Sequence, residues 1–304
     1  MIAARWRAAW EGDVAWSLRR SPGFVVAAVV LAALLGAAVF ADLLAPHRPF
    51  DLATLDLLDA RLPPAWMPEG SASFLLGTDA QGRDVLSSLM YGLRVSLAVG
   101  LLSTVLSVVV GVGVGLLAGD RGGWIDAFLM RLCDVMLSFP SILVALLVDG
   151  VGRAMWPDAH ASMAIGVLVL AIALTGWVPY ARTVRAGTMV ERQKDYVSAA
   201  RLIGSSRLRI LVRHILPNVL GPVLVLATLQ VGTAILIEAT LSFLGVGVPV
   251  TSPSLGTLIR IGNELIFSGD WWIAVFPGAV LLLTTLSINW IGDALRDALD
   301  PKLR

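Results

Sequence analysis

Val95–Gly119 reads VSLAVGLLSTVLSVVVGVGVGLLAG, 25 residues without a charge between Arg94 and Asp120. About 20 apolar residues in a helix cross ~30 Å of hydrocarbon, so this stretch alone is long enough to span a bilayer. Similar runs surround it. Ser21–Ala41 holds FVVAAVVLAALLGAAVFA after Arg20, and Ala159–Ala181 lies between Asp158 and Arg182. His214–Ile237 ends at Glu238, and Trp271–Gly292 ends at Asp293. The composition agrees: 57% of the 304 residues are hydrophobic and 15% are charged, where a soluble domain carries about 25% charged residues. An all-α polytopic membrane protein is the expected class.

A sixth span is less regular. Val135–Val148 has only 14 charge-free residues. Extending back through Asp134, Arg131 and Asp126 to Trp124 gives 25, with the charged turns at one interface. The alternative is a charged surface helix followed by a short, tilted span. Pro140 is expected to kink whichever helix holds it. Ala239–Ile259 is equally charge-free, but Gly245, Gly247, Pro249, Pro253 and Gly256 oppose a lipid-exposed helix. It reads as the end of the fifth span and an outside loop, partly re-entrant at most. Six spans result.

Basic residues orient them. Arg5, Arg7, Arg19 and Arg20, Arg121 and Arg131, eight residues between Arg182 and Arg213, and Arg296, Lys302 and Arg304 place 17 on one side. Arg48, Arg61, Arg83, Arg94, Arg153 and Arg260 place six on the other. The richer side is cytoplasmic, and it holds both termini. A cleaved signal peptide is the other reading of the first segment, but its apolar run is longer than a typical h-region. The expected divisions are a tail at 1–21, a first transmembrane helix at 22–44, and an extracytoplasmic loop with an interfacial helix at 45–94. A core permease domain follows at 95–292, with a tail at 293–304.

Outside, Asp79, Arg83 and Asp84 precede Val85, Leu86, Leu89 and Met90, the spacing of an amphipathic interfacial helix. A charged entry turn to the second span is the plainer alternative. Trp271 and Trp272 read as an interfacial anchor. Inside, Tyr196, Ala199, Ala200 and Ile203 make one apolar face at helical spacing. Gly204 interrupts it, Ser205 or Ser206 can cap, and Leu208, Leu211 and Val212 resume an apolar face before Pro217. Two short amphipathic helices result. They fit either a partner's groove or an anionic lipid surface, and periodicity does not choose.

Function classes fall away by inspection. Charges nearly balance at +1, which offers no field for a nucleic acid. One cysteine, Cys133, and three scattered histidines, His47, His160 and His214, show no ligand spacing. Neither Lys194 nor Lys302 follows a glycine, so no GxxxxGK[ST] nucleotide loop exists. HExxH and GxSxG are also absent, and no catalytic or metal site is expected. Glu238 is the one acid flanked by long apolar runs. It can line a pathway, bind an arginine inside the bundle or lie at the outer interface, and the last two are favoured.

Five blocks carry a resemblance. The cytoplasmic one has Ser198, Ala199 and Ala200, three residues, Gly204, nine residues, His214, one residue, then Leu216, Pro217 and Asn218. The others are GTDAQGRDVLSSLMYGLRVSL (Gly77–Leu97), MRLCDVMLSFPSILVALL (Met130–Leu147), ILIEATLSFLGVGVPVTSPSLG (Ile235–Gly256) and the stretch from Trp271 to Pro301. In this order they resemble a permease subunit of bacterial ABC importers of the oligopeptide/dipeptide/nickel class, the second of the paired permeases. The pattern departs at Ser198, where the family usually has Glu, and at Leu255, where Trp is frequent.

The resemblance implies a six-helix permease bundle in the bacterial inner membrane. It further implies a cytoplasmic coupling helix-turn-helix at 182–217 that carries Tyr196, Ser198, Ala199, Ala200, Ile203, Gly204, Leu208, His214, Leu216 and Pro217. Its implied partners are a homologous permease, two cytoplasmic ATPases that bind ATP and Mg, an extracytoplasmic solute-binding protein and membrane lipid. The chain itself is then not an enzyme. Gly204 would let the two coupling helices meet at a sharp angle without a side-chain clash. The implied cargo is a di- or oligopeptide, or a related solute such as nickel or its chelate. An ion- or proton-coupled carrier and a membrane scaffold are the alternatives. A carrier would be expected to show paired half-repeats with buried ion ligands, and only Glu238 is a candidate ligand.

Overall fold

A computed structural model describes residues 21–51, 53, 55–155, 160–249 and 251–299. Arg5, Arg7, Arg19 and Arg20, Asp158, Lys302 and Arg304 therefore lie outside the described residues. The chain runs through α1 (Pro22–Val39), α2 (Val85–Arg121), α3 (Gly123–Ser138), α4 (Ser141–Met155) and α5 (His160–Gly176). It continues through α6 (Val178–Glu191), α7 (Asp195–Leu202), α8 (Arg207–Phe243), α9 (Leu255–Asn263) and α10 (Trp272–Leu299). Among the described residues, four helices, α1, α2, α8 and α10, are long and apolar enough to cross a membrane alone. The pairs α3–α4 and α5–α6 bring the number to six if each is one span, bent by 90° and 42°.

The 90° bend falls at Pro140, where a kink was expected, and of the two readings of Trp124–Val148 it excludes the continuous helix. Phe139 is extended (φ −102°, ψ 132°), as a residue before proline prefers, and Pro140 separates the charged half from the apolar half. The separate interfacial helix at Val85–Met90 is also not formed. The Asp84 carboxylate caps α2 by accepting from Ser87 N at 2.9 Å, and the helix then runs unbroken for 37 residues, about 55 Å at 1.5 Å per residue. Residue 94 is inside it, not at a boundary.

A ridge of small residues explains why α2 is central. Ser96, Gly100, Ser103, Ser107, Gly111, Gly115 and Gly119 recur at three- or four-residue spacing and are all buried. Against the last three lies α6 with the turn before it. A Cβ at Gly111 would sit 2.5 Å from the Trp177 carbonyl oxygen, one at Gly115 2.6 Å from that of Ala181, and one at Gly119 2.8 Å from that of Arg185. Small residues at every fourth position let helix backbones approach this closely in lipid, where burial of apolar surface gives no drive.

The two ends of the bundle are distinct. At one, Arg94 donates to Ala38 O at 2.8 Å and pairs with Asp42 at 3.0 Å, holding that carboxyl below its ordinary range. At the same end, the buried Asp79–Arg83 pair (2.6 Å) and two glycines at positive φ, Gly77 and Gly82, shape the loop before α2. Asp79 also accepts from the backbone N–H groups of Gln81 and Arg83, which accounts for the Gly77–Asp84 motif. Trp272 is not a surface anchor. It is buried, and its indole N–H donates to Thr78 O at 3.1 Å, fastening this loop to α10. Trp271 alone stays partly exposed. The stretch after α8 turns at Gly245 and Gly247, and α9 then packs against α2, α8 and α10. A Cβ at Gly256 would meet Ala239 O at 2.4 Å.

Candidate functional site

The other end of the bundle gathers the charges. Arg182 on α6 pairs with Asp134 at 2.5 Å, and Arg185 forks onto both oxygens of Asp126 at 2.5 and 2.6 Å. Arg192 donates to the carbonyls of Gly119 and Asp120 at 3.0 and 3.2 Å, closing the C-terminal end of α2. Arg207, at the start of α8, pairs with the Asp120 carboxylate at 2.5 Å and also reaches its carbonyl. Cations at a helix C-terminus are favoured by its dipole, and two-pronged guanidinium–carboxylate contacts fix geometry as well as distance. These pairs clamp the segment around α7 to α2 and α3. Its basic residues are thus not simply a lipid-facing charge cloud.

Within the clamp, α7 is turned relative to the sequence expectation. Val197 and Ala200 are buried, together with Ile210, Ile215 and Tyr180. Tyr196 is partly exposed, Ala199 is exposed, and Ile203 is 83% exposed, so Tyr196, Ala199, Ala200 and Ile203 do not form one buried face. One residue step rotates a helix by about 100°, and the stripe through Val197 and Ala200 won. The apolar side chains left outward cluster at the turn: Leu202 at 90%, Ile203 at 83% and Leu208 at 71%. Ser198 is exposed beside them.

Gly204 has φ +84°, with open space where a Cβ would point. Its requirement is therefore backbone conformation, not relief of a clash. Gly204 N–H donates to Arg201 O and Ser205 N–H to Ala200 O, both at 3.0 Å, the paired bonds of a Schellman C-cap. Ser206 then caps α8 by accepting from Arg209 N. At Leu211–Ile215 α8 widens into a π-turn, with Leu216 N–H reaching Leu211 O. Pro217 has no N–H for a normal bond to the fourth carbonyl back, and wide turns of this kind relieve such crowding. The His214 carbonyl takes the Asn218 amide at 2.7 Å, and Leu216 packs on the buried cluster. Asn218 also donates to the Tyr196 hydroxyl at 3.1 Å, and that hydroxyl donates to Glu191. Burial, then the Glu191 bond, pushes the Tyr196 hydroxyl above its ordinary pKa. A chain of three side chains thus links α6, α7 and α8.

Glu238 lies far from this loop and is fully buried. Among the described residues no arginine pairs with it, against one of the favoured expectations. Ser96 donates to its carboxylate at 2.8 Å and Ser242 at 2.7 Å, while Leu255 N–H donates to Ser96 at 3.2 Å. The hydroxyls of Ser96 and Ser242, with that of Ser254 as a third neighbour, satisfy the acid and tie α2, α8 and the start of α9 together. Because no counter-charge would be stranded, Glu238→Gln should keep membrane abundance within about twofold of native, whereas Glu238→Ala, which leaves the buried serine hydroxyls around it without their acceptor, should lower it about tenfold. Quantitative blotting of purified membranes reads both; equal abundance for the two variants would refute the latch.

The family model "Binding-protein-dependent transport system inner membrane component" matches residues 111–304, and "N-terminal TM domain of oligopeptide transport permease C" matches residues 5–64. The chain belongs to this family of inner-membrane transport permeases. The dipeptide transport system permease protein DppC of Escherichia coli K12 is 43% identical over 94% of this chain and 91% of its own length. The di/tripeptide permease DppC of Pseudomonas aeruginosa is 39% identical over 88% of this chain and 84% of its own. Inward-facing structures of the MetNI methionine ABC transporter share the fold: one has TM-score 0.55 at 19% identity and covers 70% of this chain and 96% of that one. The protein is a multi-span permease component of an ABC importer in the bacterial inner membrane, working with a partner permease, ATPase subunits and a binding protein.

Sequence reasoning placed the loop, Gly204 and the Leu216–Pro217–Asn218 turn, but missed Asp120, Asp126, Arg185 and Arg207 as a clamp. It also missed the glycine ridge, which the four-residue spacing of Gly111, Gly115 and Gly119 spells out. Among the described residues, no group of three or more His, Cys, Asp or Glu side chains is placed to hold a metal ion.

Proposed function

We propose that this permease forms half of a pathway for small peptides, and that its 182–217 loop passes ATPase closure to the spans. The observation that carries the first part is the 43% identity to a dipeptide permease along nearly the whole chain. The second part is supported by the arginine clamp. A pull on α7 is passed through Arg207 to the end of α2 and, through α6, by Arg185 to α3. The glycine ridge then leaves α2 and α6 no room to slide independently. Tyr196, Ser198, Ala199, Ile203, Gly204 and Leu208 form the docking turn in this reading, with His214, Leu216 and Pro217 at its junction with the span. ATP and Mg act on the partner subunits, and this chain is non-catalytic. ATPase closure would bias two arrangements of the bundle, as differential contacts to two states must.

Proteoliposomes holding both permeases and the ATPase pair, supplied with the cognate binding protein, test the cargo. ATP-dependent uptake of a labelled dipeptide, unaffected by excess nickel chelate, is the expected result. Uptake of the nickel chelate and not the dipeptide would overturn the peptide assignment.

A further inference from the structure

A cleft of about 650 Å³ opens between α7 and the cytoplasmic end of α2, lined by Asp120, Arg192, Ser198, Arg201, Ser205 and Arg207 among others. Three arginines face one aspartate. Asp120 is already committed to Arg207, and Arg192 binds only neutral carbonyls. The Arg201 side chain is exposed, and among the described residues its guanidinium has no hydrogen-bond or ion-pair partner. Ser198, in the position where resembling permeases carry Glu, adds no negative charge to the wall. The cleft is thus net positive and still holds a guanidinium with free donors. Leu202, Ile203 and Leu208, exposed at the turn, adjoin Arg201 along the chain.

We propose that this cleft receives a carboxylate side chain of the docked ATPase subunit, with Arg201 as its ion-pair partner. The proposal rests on the docking reading above and specifies its electrostatics. Charge complementarity selects an acidic occupant, since a lysine or arginine entering here would meet three guanidinium groups. The placement of the apolar side chains selects a protein over lipid. A helix lying on a bilayer spreads its apolar residues along one face, but α7 spends Val197 and Ala200 on its own bundle and keeps its outward apolar residues at the tip. A compact apolar tip beside an exposed guanidinium with free donors is the pattern of a protein contact with an anchoring ion pair. The two serine hydroxyls on the wall, Ser198 and Ser205, are further donors for the same carboxylate.

The test is co-purification of the cognate ATPase pair with the assembled permease pair, at low and high salt, for native, Arg201→Ala, Arg201→Glu and Ser198→Glu. Ile203→Asp is carried in parallel to test docking itself. Arg201 is exposed, so membrane abundance should stay native in its variants, and Arg201→Lys should keep most of the binding. Arg201→Ala should weaken ATPase affinity about tenfold and Arg201→Glu more, with a flatter salt dependence in the alanine variant. Ser198→Glu should also weaken binding, although it restores the residue common in resembling permeases. Native affinity for Arg201→Glu and Ser198→Glu, with binding lost in Ile203→Asp, would overturn the carboxylate site while leaving docking intact. Native affinity in all of them would overturn docking as well. Native ATPase affinity together with lost retention of Arg201→Glu complexes on phosphatidylglycerol vesicles would assign the cleft to lipid.

Discussion

Gly115→Leu is expected to remove nearly all folded permease from the membrane, while Gly113→Leu, two residues away, is expected to leave it unchanged. The difference lies in what each side chain would meet. At Gly115 a Cβ would fall 2.6 Å from a backbone carbonyl oxygen of Ala181 and 2.7 Å from the Val184 Cβ. Neither neighbour is the free end of a flexible side chain, so α2 and α6 would have to separate. Overpacking a closed core costs about 1–3 kcal/mol, and more where backbones are forced apart, a large share of a typical stability of about 5–15 kcal/mol. Gly113 is exposed, with nothing within 4 Å of its Cβ position. Fluorescence-detected size exclusion of detergent extracts would separate the two; equal recovery would show that the ridge is not a packing constraint.

Ile203→Asp carries the second large expected effect, and it is functional. The side chain is 83% exposed in this chain alone, so the variant should insert and fold as the native protein does. If the turn enters an apolar groove on the ATPase, an unpaired carboxylate there is desolvated without compensation, and ATP-driven uptake should fall about 30-fold, the scale of a single hot-spot loss. Ala200 makes the instructive contrast. It is buried on the bundle side, so Ala200→Glu should lower folded abundance and would not isolate docking.

The spans were legible because hydrocarbon tolerates few charges, and charge-free runs of the right length mark them directly. Their bends were less so. Pro140 announces a break, but the 90° angle follows from how α3 and α4 each pack after it. The rotation of α7 could not be read from eight residues in which Tyr196 and Val197 are both apolar on adjoining stripes. What decides it is the set of neighbours supplied by Tyr180, Ile210 and Ile215. The clamp joins Arg182 to Asp134, Arg185 to Asp126 and Arg207 to Asp120 across 48, 59 and 87 residues, and no local pattern selects those partners among the other charges. Glu238 called for a partner, and arginine was the strongest one chemically. A serine 142 residues earlier, on the same ridge that packs α2, supplies one of its hydrogen bonds instead. The ridge itself was visible in sequence as small residues four apart, a pattern that hydropathy counting averages away.

Whether the ATPase holds the turn at Gly204 can be read from a single cysteine. Ile203→Cys on a Cys133→Ala background, in membranes containing the complete transporter, is labelled with a short thiol reagent whose second arm is photoreactive, and then irradiated. A covalent adduct between the permease and the ATPase subunit, formed in high yield and changed by ATP, is expected. The contradicting result is no ATPase adduct at position 203, with the same cysteine labelled by a reagent confined to the lipid phase.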